Sequence, residues 1–361
     1  MFTKINKAFL LLLCFVLSNT VTFGQDSYPT LSSQKAITQY IIDVWKKEQG
    51  LAQNTVFSVL QSSDDYLWVA TYNGLSQFDG LEFHNFNTQN TPKLLSNSIS
   101  VLYQSPNKDL WIGTNGGGLN RFRDGHFQHF SYKKGLASDN VLAIIEDPKD
   151  ENMLWVGTAH GLSYLDKSQK KFVNFNTNDG LPSLRINDLL VDYEGKIWGA
   201  SDKGLFRIEN KKIIPVSEID LPNLAIKTLC QTSDSLLWIG TENGLLSWNP
   251  KTQKQKIYSL TEGISGTYIT KIFEDKDKNL WIGTESAGLN RLVNGKFEVL
   301  NAHNGLTDNS IRTITQDKEG SIWIGLDRGG LNRLREGKFV NFTEKENLTN
   351  NFTNSTNSTN Q

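Results

Sequence analysis

The side chains that could perform chemistry are few and scattered along the chain. Five histidines occur without the H-E-x-x-H motif or a comparable metal-binding spacing: His84, His126, His129, His160 and His303. His126 and His129 are three residues apart on a predicted strand, so their side chains face opposite sides of the sheet. We therefore predict no metal site.

Two stretches imitate ligand-binding loops without completing them. Residues 275–279 read DKDKN like the start of a calcium loop, but Leu280 and Ser286 occupy the positions that need a glycine and an acid. The glycines of 116–119 and 328–331 precede predicted strands, so no helix N-terminus would face a phosphate there. No nucleophile elbow or dinucleotide fingerprint occurs. We expect no cofactor and no catalytic residue, and interpret 275–279 as a hairpin turn.

The first 24 residues resemble a secretory signal. Lys4 and Lys7 precede an apolar run over 8–17, and small or polar residues follow. We expect cleavage after Gly24 and a periplasmic or secreted protein. An alternative is a lipoprotein attached through Cys14, although the bulky Leu13 stands where a small residue is expected.

The bulk charge and the cysteines exclude several classes of protein. The formal net charge is −1, or −3 once Lys4 and Lys7 leave with the signal, and no basic stripe is present, so we expect no nucleic-acid partner. Only Cys230 survives maturation, so no intrachain disulfide forms; we expect a small buried side chain. No later apolar run approaches twenty residues, so no membrane insertion is expected after signal removal.

A five-residue tryptophan frame organises the rest of the chain. LWIGT occurs at 110–114, 237–241 and 280–284, and looser copies occur four more times. The tryptophans recur every 40 to 44 residues, a period that fits a four-stranded propeller blade. They are Trp68, Trp111, Trp155, Trp198, Trp238, Trp281 and Trp323.

Each unit contains four short strand-like runs, which we label A to D, and the tryptophan lies in B. The sequence therefore predicts an all-β fold: a seven-bladed propeller of four-stranded antiparallel blades over 38–343, with A at the channel and D at the rim. Each tryptophan would fill the wedge between blades and hide roughly 150–250 Å². A short lead over 25–37 precedes the propeller, and a disordered Asn/Ser/Thr-rich tail over 344–361 follows it.

The D-like segments number one more than the blades. Seven follow C strands: 83–86, 127–130, 172–175, 212–216, 256–260, 297–300 and 339–342. The eighth, 40–45, precedes blade one, and we predict that it closes the ring as the rim strand of blade seven; 339–342 is the alternative. The surplus strand runs directly into the polar tail, so we hypothesise that the chain is a shortened version of a larger sensor.

The repeated residues resemble a known family. The pattern I/V-x-x-I-x-E/Q-D-x-x-G-x-LWIGT-x-x-GL-x-R-F is similar to the two-component regulator propeller repeat, and seven copies extend from 50 to about 343. Such repeats are found in periplasmic sensor regions of bacterial hybrid two-component and diguanylate-cyclase-type receptors. The resemblance implies a non-catalytic repeat protein for signal transduction, here without output domains. Its signalling halves would lie in a missing C-terminal region or on a membrane-bound partner chain.

The loops between B and C vary from blade to blade on a constant framework, which suits a recognition surface around the channel. The candidate ligand-binding residues are Tyr72, Asn73, Asn115, His160, Asp202, Lys203, Glu242, Asn243, Glu285, Asp327 and Arg328. Their mixture of groups suits an oligosaccharide or other small ligand. The alternatives are a secreted polysaccharide-active lyase or hydrolase, and a protein-binding scaffold. The most irregular unit, with Gly199-Ala200-Ser201 in its B strand, is interpreted as packing drift.

Overall fold

The computed structural model describes residue 31 and residues 35–221 and 224–337. The predicted signal over 1–24, the segment 339–342 and the tail 344–361 lie outside the described residues.

Seven four-stranded antiparallel sheets make up the described chain, as predicted. Blades one to three comprise Val56–Gln61, Leu67–Thr71, Gly74–Phe78 and Phe83–Phe86 (β2–β5); Ile99–Gln104, Leu110–Thr114, Leu119–Arg123 and His126–Phe130 (β6–β9); and Val141–Asp147, Asp150–Thr158, Gly161–Asp166 and Lys171–Phe175 (β10–β13). Blades four to six comprise Ile186–Val191, Ile197–Ser201, Gly204–Glu209 and Lys212–Pro215 (β14–β17); Ile226–Gln231, Leu237–Thr241, Gly244–Trp248 and Gln255–Tyr258 (β18–β21); and Ile269–Glu274, Leu280–Thr284, Leu289–Val293 and Lys296–Leu300 (β22–β25).

The seventh blade joins the two ends of the propeller. Its first three strands are Ile311–Gln316, Ile322–Leu326 and Leu331–Arg335 (β26–β28), and its rim strand is Ile41–Trp45 (β1), which pairs antiparallel with β28. Every A strand also contacts the A strands of both neighbouring blades, including β2 against β26. The ring is therefore closed, and the predicted N-terminal strand closes it.

Short turns precede β1 and complete four of the connections from D to A. Five single 3-10 turns occur in the described part of the chain: Ile37–Gln39, Lys47–Gln49, Tyr132–Lys134, Thr177–Asp179 and Leu260–Glu262. Four of them end at a glycine in the left-handed conformation, such as Gly135 (φ 100°), which most other residues adopt only with strain. The next residue, such as Leu136, is buried between blades. This explains the Gly-Leu pairs of the repeat.

The tryptophans fill the wedges between blades, and their indole nitrogens are also bound. All seven side chains are at most 5% exposed. In six blades of the described chain, Nε1 donates to the turn between A and B, for example from Trp323 to Asp317 (2.7 Å) and from Trp111 to Ser105 (3.0 Å). In these six blades the polar turn residue before the tryptophan is therefore a structural acceptor.

The calcium-like stretch 275–279 provides one of these acceptors. The Asp275 carboxylate accepts from Trp281 Nε1 (2.7 Å) and from the backbone N–H of Asn279 (2.8 Å). Burial raises the pKa of Asp275, against the lowering effect of these hydrogen bonds. Its oxygens serve the hairpin, in agreement with the interpretation as a turn.

In blade four a large residue in strand C fills the space left by a small residue in the irregular strand B. Gly199 lies opposite Phe206, whereas blades one and three pair Val69 with Ser76 and Val156 with Ser163. A Cβ added at Gly199 would lie 2.0 Å from the Phe206 ring. The large side chain has thus moved from strand B to strand C, so the drift is a volume exchange.

Phe206 also replaces a serine whose hydroxyl has a hydrogen-bonding role in blades one and three. Ser76 and Ser163 each accept a backbone N–H from the preceding loop, at Ala52 and Ala137 respectively (both 3.1 Å). Blade four has Pro182 at the corresponding loop position, and proline has no N–H to donate. An apolar side chain at position 206 therefore leaves no donor unpaired.

Cys230 is half-buried, less enclosed than expected, and packs against the core between blades five and six. Burial raises the pKa of its thiol to about 11, so the thiol stays protonated at neutral pH.

The closing strand is held by a charged cluster. Asp43 accepts from Arg333 Nη2 (2.7 Å) and from Arg335 Nε (2.6 Å), and Trp45 lies 5.1 Å from Trp323. Burial alone would raise the pKa of Asp43, but the two arginines outweigh it and hold the pKa below the ordinary value of 3.8. Ionised Asp43 therefore stabilises the folded ring.

We predict that Asp43→Asn lowers the free energy of unfolding by about 1–3 kcal/mol at pH 7, because charge-assisted hydrogen bonds are lost. The pKa of Asp43 is lower in the folded than in the unfolded protein, so ionised Asp43 stabilises the fold at pH values above the unfolded-state pKa. This contribution is lost as the pH falls through the folded-state pKa. The difference from wild type, measured by urea denaturation, should shrink below pH 4. Glu48→Gln, on the exposed turn after β1, is the control. A pH-independent difference would contradict the assignment.

The volume exchange in blade four predicts strong coupling between two positions. Gly199→Val should lower the free energy of unfolding by about 1–3 kcal/mol through overpacking, and Phe206→Ala by about 3–5 kcal/mol through a cavity. The double variant should lose clearly less than the sum, since valine would occupy the space that the ring vacates. Chemical denaturation of all four proteins measures the coupling. Strict additivity would show that the two residues do not share a space.

Candidate functional site

Every A strand carries a β-bulge at its second residue. In blade one Val56 pairs with Thr71 and Ser58 with Ala70, which leaves Phe57 without a partner, and the register shifts at the same place in the other six blades. A bulge redirects the side chain of its extra residue. The seven bulged residues, which we call the mouth ring, are Phe57, Ser100, Leu142, Asn187, Lys227, Thr270 and Arg312.

The mouth ring converges on one cavity. All seven side chains line a space of about 340 Å³ at the end of the channel where the B–C and D–A loops meet, and Asn115, Arg185, Tyr268 and Glu285 complete the lining. The loops are joined there by backbone hydrogen bonds, for example from Asn115 to the Ser98 carbonyl (2.8 Å). This volume is within the range of small-molecule sites, about 300–1,000 Å³.

One side of the mouth is aromatic and apolar. The rings of Phe57 and Tyr72 lie 6.5 Å apart, and Leu142 lines the same side two blades away. Tyr72 is 60% exposed, so an aromatic surface is accessible to a ligand. Such a surface stacks on flat or C–H-rich faces.

The opposite side is charged, and each cation of the mouth ring lies between two carboxylates. Arg312 binds Asp327 (2.9 Å) and Glu285 (3.4 Å). Lys227 lies 3.6 Å from Asp202 and 4.0 Å from Glu242. The pairs fix the side chains around the opening while leaving oxygen and nitrogen atoms exposed to it.

Neutral polar groups link these charges. Asn187 Nδ2 donates to Asp202 (2.8 Å), and its Oδ1 accepts from Arg185 Nε (3.1 Å). Lys227 Nζ also lies over the Tyr268 ring, 5.7 Å from its centre. The buried Oγ1 of Thr270 has no hydrogen-bond partner within the described chain.

The predicted loop residues divide by position. Those directly after strand B lie beside the mouth: Tyr72, Asn115, Asp202, Glu242, Glu285 and Asp327. Those one residue further lie outside them: Asn73, His160, Lys203, Asn243 and Arg328. The Arg328 side chain is 88% exposed, and none of the five lines the mouth cavity. Of the predicted residues, Asn115 and Glu285 line the cavity. Four more contact mouth-ring side chains without lining it: Tyr72, Asp202, Glu242 and Asp327.

The mouth ring itself was absent from the sequence-based candidates, although a signal for it exists. Strict alternation would put apolar residues two apart, but the A strands have them three apart, as in Val56 and Val59 or Ile311 and Ile314, and both members are buried. One extra residue between them is the mark of a bulge. The I-x-x-I part of the motif thus identifies the mouth residues.

The repeat is identified by comparison with known families. The two-component regulator propeller profile matches residues 50–73, 93–116, 220–243, 263–286 and 305–328. These five stretches carry the two-component regulator propeller repeat. Blades three and four lie outside the matched stretches but have the same strand order as the others. No curated protein matches the chain by sequence.

Solved structures of similar shape include extracellular domains of signalling proteins. The extracellular domain of BT3049 from B. thetaiotaomicron, described as a hybrid two component system, is 28% identical with a TM-score of 0.72; the match covers 82% of this chain and 42% of that one. The corresponding domain of BT4673, described as a one component system from the same organism, is 23% identical (TM-score 0.70; 83% and 40% covered). The chain thus spans less than half the length of these domains.

A second group of similar structures shares the fold alone. Virginiamycin B lyase from Staphylococcus aureus is 14% identical with a TM-score of 0.65, over 82% of this chain and all of that one. In the described part of this chain, no group of three His, Cys, Asp or Glu residues could hold a metal ion, and no helix is long and apolar enough to cross a membrane.

We predict that the mouth ring contributes little to stability, because its ion pairs are partly exposed and such pairs contribute about 0–1 kcal/mol. Lys227→Met should change the free energy of unfolding by less than about 1 kcal/mol. Ile226→Ala, at the buried neighbouring position, should lower it by about 2–5 kcal/mol. Thermal and urea unfolding of the two variants provide the comparison. Equal losses would mean that the mouth ring is part of the framework.

Proposed function

We propose that the chain is a non-catalytic, extracytoplasmic sensor propeller of a two-component-type signalling system, and that it binds a small ligand at the mouth ring. The observation that carries the proposal is the convergence of seven bulged side chains, different in every blade, on one cavity. A packing role would favour similar residues at the seven positions, as for the tryptophans. Chemical variety at equivalent positions is instead what selective binding needs.

The lining favours a neutral, polyhydroxylated ligand such as an oligosaccharide. Four carboxylates, those of Asp202, Glu242, Glu285 and Asp327, lie beside the two cations Lys227 and Arg312. A third cation, Arg185, also lines the cavity and donates to Asn187. Donors and acceptors are therefore nearly balanced, and hydroxyl groups can use both. The aromatic side at Tyr72 and Phe57 suits the C–H face of a sugar ring.

The likeness to BT3049, at 28% identity, supports a role in an extracellular sensor region. The charged side chains of the mouth ring are engaged in ion pairs, which suits holding a ligand more than transferring protons. Signal output would pass to further sequence or to a membrane-bound partner chain. The likeness to the lyase, at 14% identity, extends to the fold and supports no activity.

Differential scanning fluorimetry and calorimetry of the mature chain test the proposal. A panel of neutral gluco-, xylo- and manno-oligosaccharides is compared with oligogalacturonides. At least one neutral oligosaccharide should raise the melting temperature and bind saturably, whereas the acidic ones should bind more weakly. Release of unsaturated or reducing ends would favour an enzyme, and flat responses throughout would overturn the proposal.

Variants locate the binding on the mouth. Tyr72→Ala and Arg312→Met should each lower the affinity for the oligosaccharide at least about ten-fold, because a stacking face or a fixed hydrogen-bond donor is lost. Arg328→Ala, in the same loop region but 88% exposed, is the matched control and should bind as wild type does. Unchanged affinity in both mouth variants would place the ligand elsewhere.

A further inference from the structure

Hydrogen bonds tie the A–B turns of neighbouring blades together, but the junction between blades three and four lacks one. At five junctions, a backbone N–H of one blade's A–B turn donates to the side chain that ends strand A of the next blade, for example from Lys276 to Gln316 (2.9 Å). In blade three the residue after the indole acceptor Asp147 is Pro148, which has no N–H. The acceptor position in blade four is Val191. The turn of blade three is therefore not tied to blade four.

The untied junction is open as a groove on the side of the A–B turns, away from the mouth ring. The A–B hairpin of blade three is also longer, because its tryptophan follows the indole acceptor by eight positions instead of six. The groove has a volume of about 420 Å³. Its lining includes three largely buried apolar side chains, Met153, Ile197 and Ile208, and charged turn residues of both blades. We call it the open groove.

At the junction of blades six and seven, the chain itself contributes an apolar side chain at the equivalent place. Leu31 of the N-terminal lead is fully buried in the hydrophobic cluster of these two blades. Its carbonyl accepts from Asn279 Nδ2 (3.3 Å) at the end of the A–B turn. Four residues later, Lys35 forms an ion pair with Glu336. This groove is thus occupied by a leucine and a charged residue four positions apart.

The strand register shows that the two places are equivalent. In blade four Ile197 pairs with Ile208, as Ile322 pairs with Leu334 in blade seven. Ile322 and Leu334 are members of the hydrophobic cluster that contains Leu31. The open groove therefore has the apolar pair that is combined with a leucine between blades six and seven.

The polar residues around the two grooves differ. Met153 of blade three stands where blade six has Asn279, since each precedes the Leu-Trp pair of strand B. Two positions after the end of the apolar pair, blade four has Asn210 followed by Lys211, where blade seven has Glu336. An acid at the outer end of the occupied groove is thus replaced by an amide and a cation in the open groove.

The charges that remain unpaired in the open groove are positive. Lys149 and Lys211 are exposed and form no ion pair within the described chain. The acids of the lining are engaged: Asp147 accepts from an indole N–H, Asp150 from a backbone N–H, and Glu209 forms an ion pair with a neighbouring arginine. An acidic segment would therefore gain new ion pairs here, and a basic one would not.

We propose that the open groove is a docking site for a non-helical segment of a partner protein in which a leucine is followed four residues later by an acid. The leucine packs on Ile197 and Ile208, and the acid pairs with Lys211. The spacing is that of Leu31 and Lys35, with the charge reversed to match the groove. One apolar anchor and one exposed ion pair give weak, reversible binding, as in transient contacts.

Methyl NMR of the chain tests the proposal, because Met153 lines the open groove and is the only methionine besides Met1. The probe is the peptide PTLSSQEA, which copies residues 29–36 with Lys35→Glu; PTLSSQKA and PTASSQEA are the comparisons. The acidic leucine peptide should shift the Met153 methyl resonance saturably at millimolar concentration. The lysine peptide should bind about five-fold more weakly, and the alanine peptide should give no saturable shift. No shift with PTLSSQEA, or an equal shift with PTASSQEA, would overturn the proposal.

A charge-reversal variant tests the assigned ion pair. Lys211→Glu should reverse the preference, so that PTLSSQKA binds more tightly than PTLSSQEA. Lys133→Glu, exposed in a D–A loop on the opposite face, is the matched control and should keep the wild-type preference. An unchanged preference in Lys211→Glu would show that the groove does not select an acid. Neither result depends on the ligand of the mouth ring.

Discussion

The fold depends on the repeated tryptophan, whose indole is held both by packing of its apolar ring and by a hydrogen bond from its Nε1–H group. The ring body fills the wedge between two blades, and in six blades the Nε1–H group is bound by the turn that precedes the tryptophan strand. The hydrogen bond fixes the orientation of the indole ring in the wedge between two blades. The N-terminal strand β1 closes the ring of seven blades by pairing with β28.

A rigid ring explains why the mouth is free to vary. Because the tryptophans and the buried A-strand residues provide the packing, the bulged residue beside them has no packing duty. Seven such residues meet at one end of the channel, and their identities range from Phe57 to Arg312. The residues that pack the framework and the residues that line the mouth are thus immediate neighbours along each A strand.

The sequence predicted the features that repeat and missed those that depend on one blade. Period, strand order and ring closure follow from the recurring tryptophan and the extra D-like segment at 40–45. A regular alternation of buried and exposed residues along the A strands does not predict the bulges. The sequence-based candidates for the binding site were therefore limited to the loops between B and C. The exchange between Gly199 and Phe206 arises from a contact between two strands of one blade, which periodicity does not encode.

The most direct test of the account is hydrogen exchange at the indole nitrogens, followed by NMR after transfer to deuterated water. A closed ring has no terminal blade that can open alone, so the six bound Nε1–H groups should exchange together at the rate of global unfolding. Trp281 and Trp323, next to the closing strand, should be as protected as Trp155. Exchange of one blade's indole far ahead of the others would contradict a closed ring that opens as one unit.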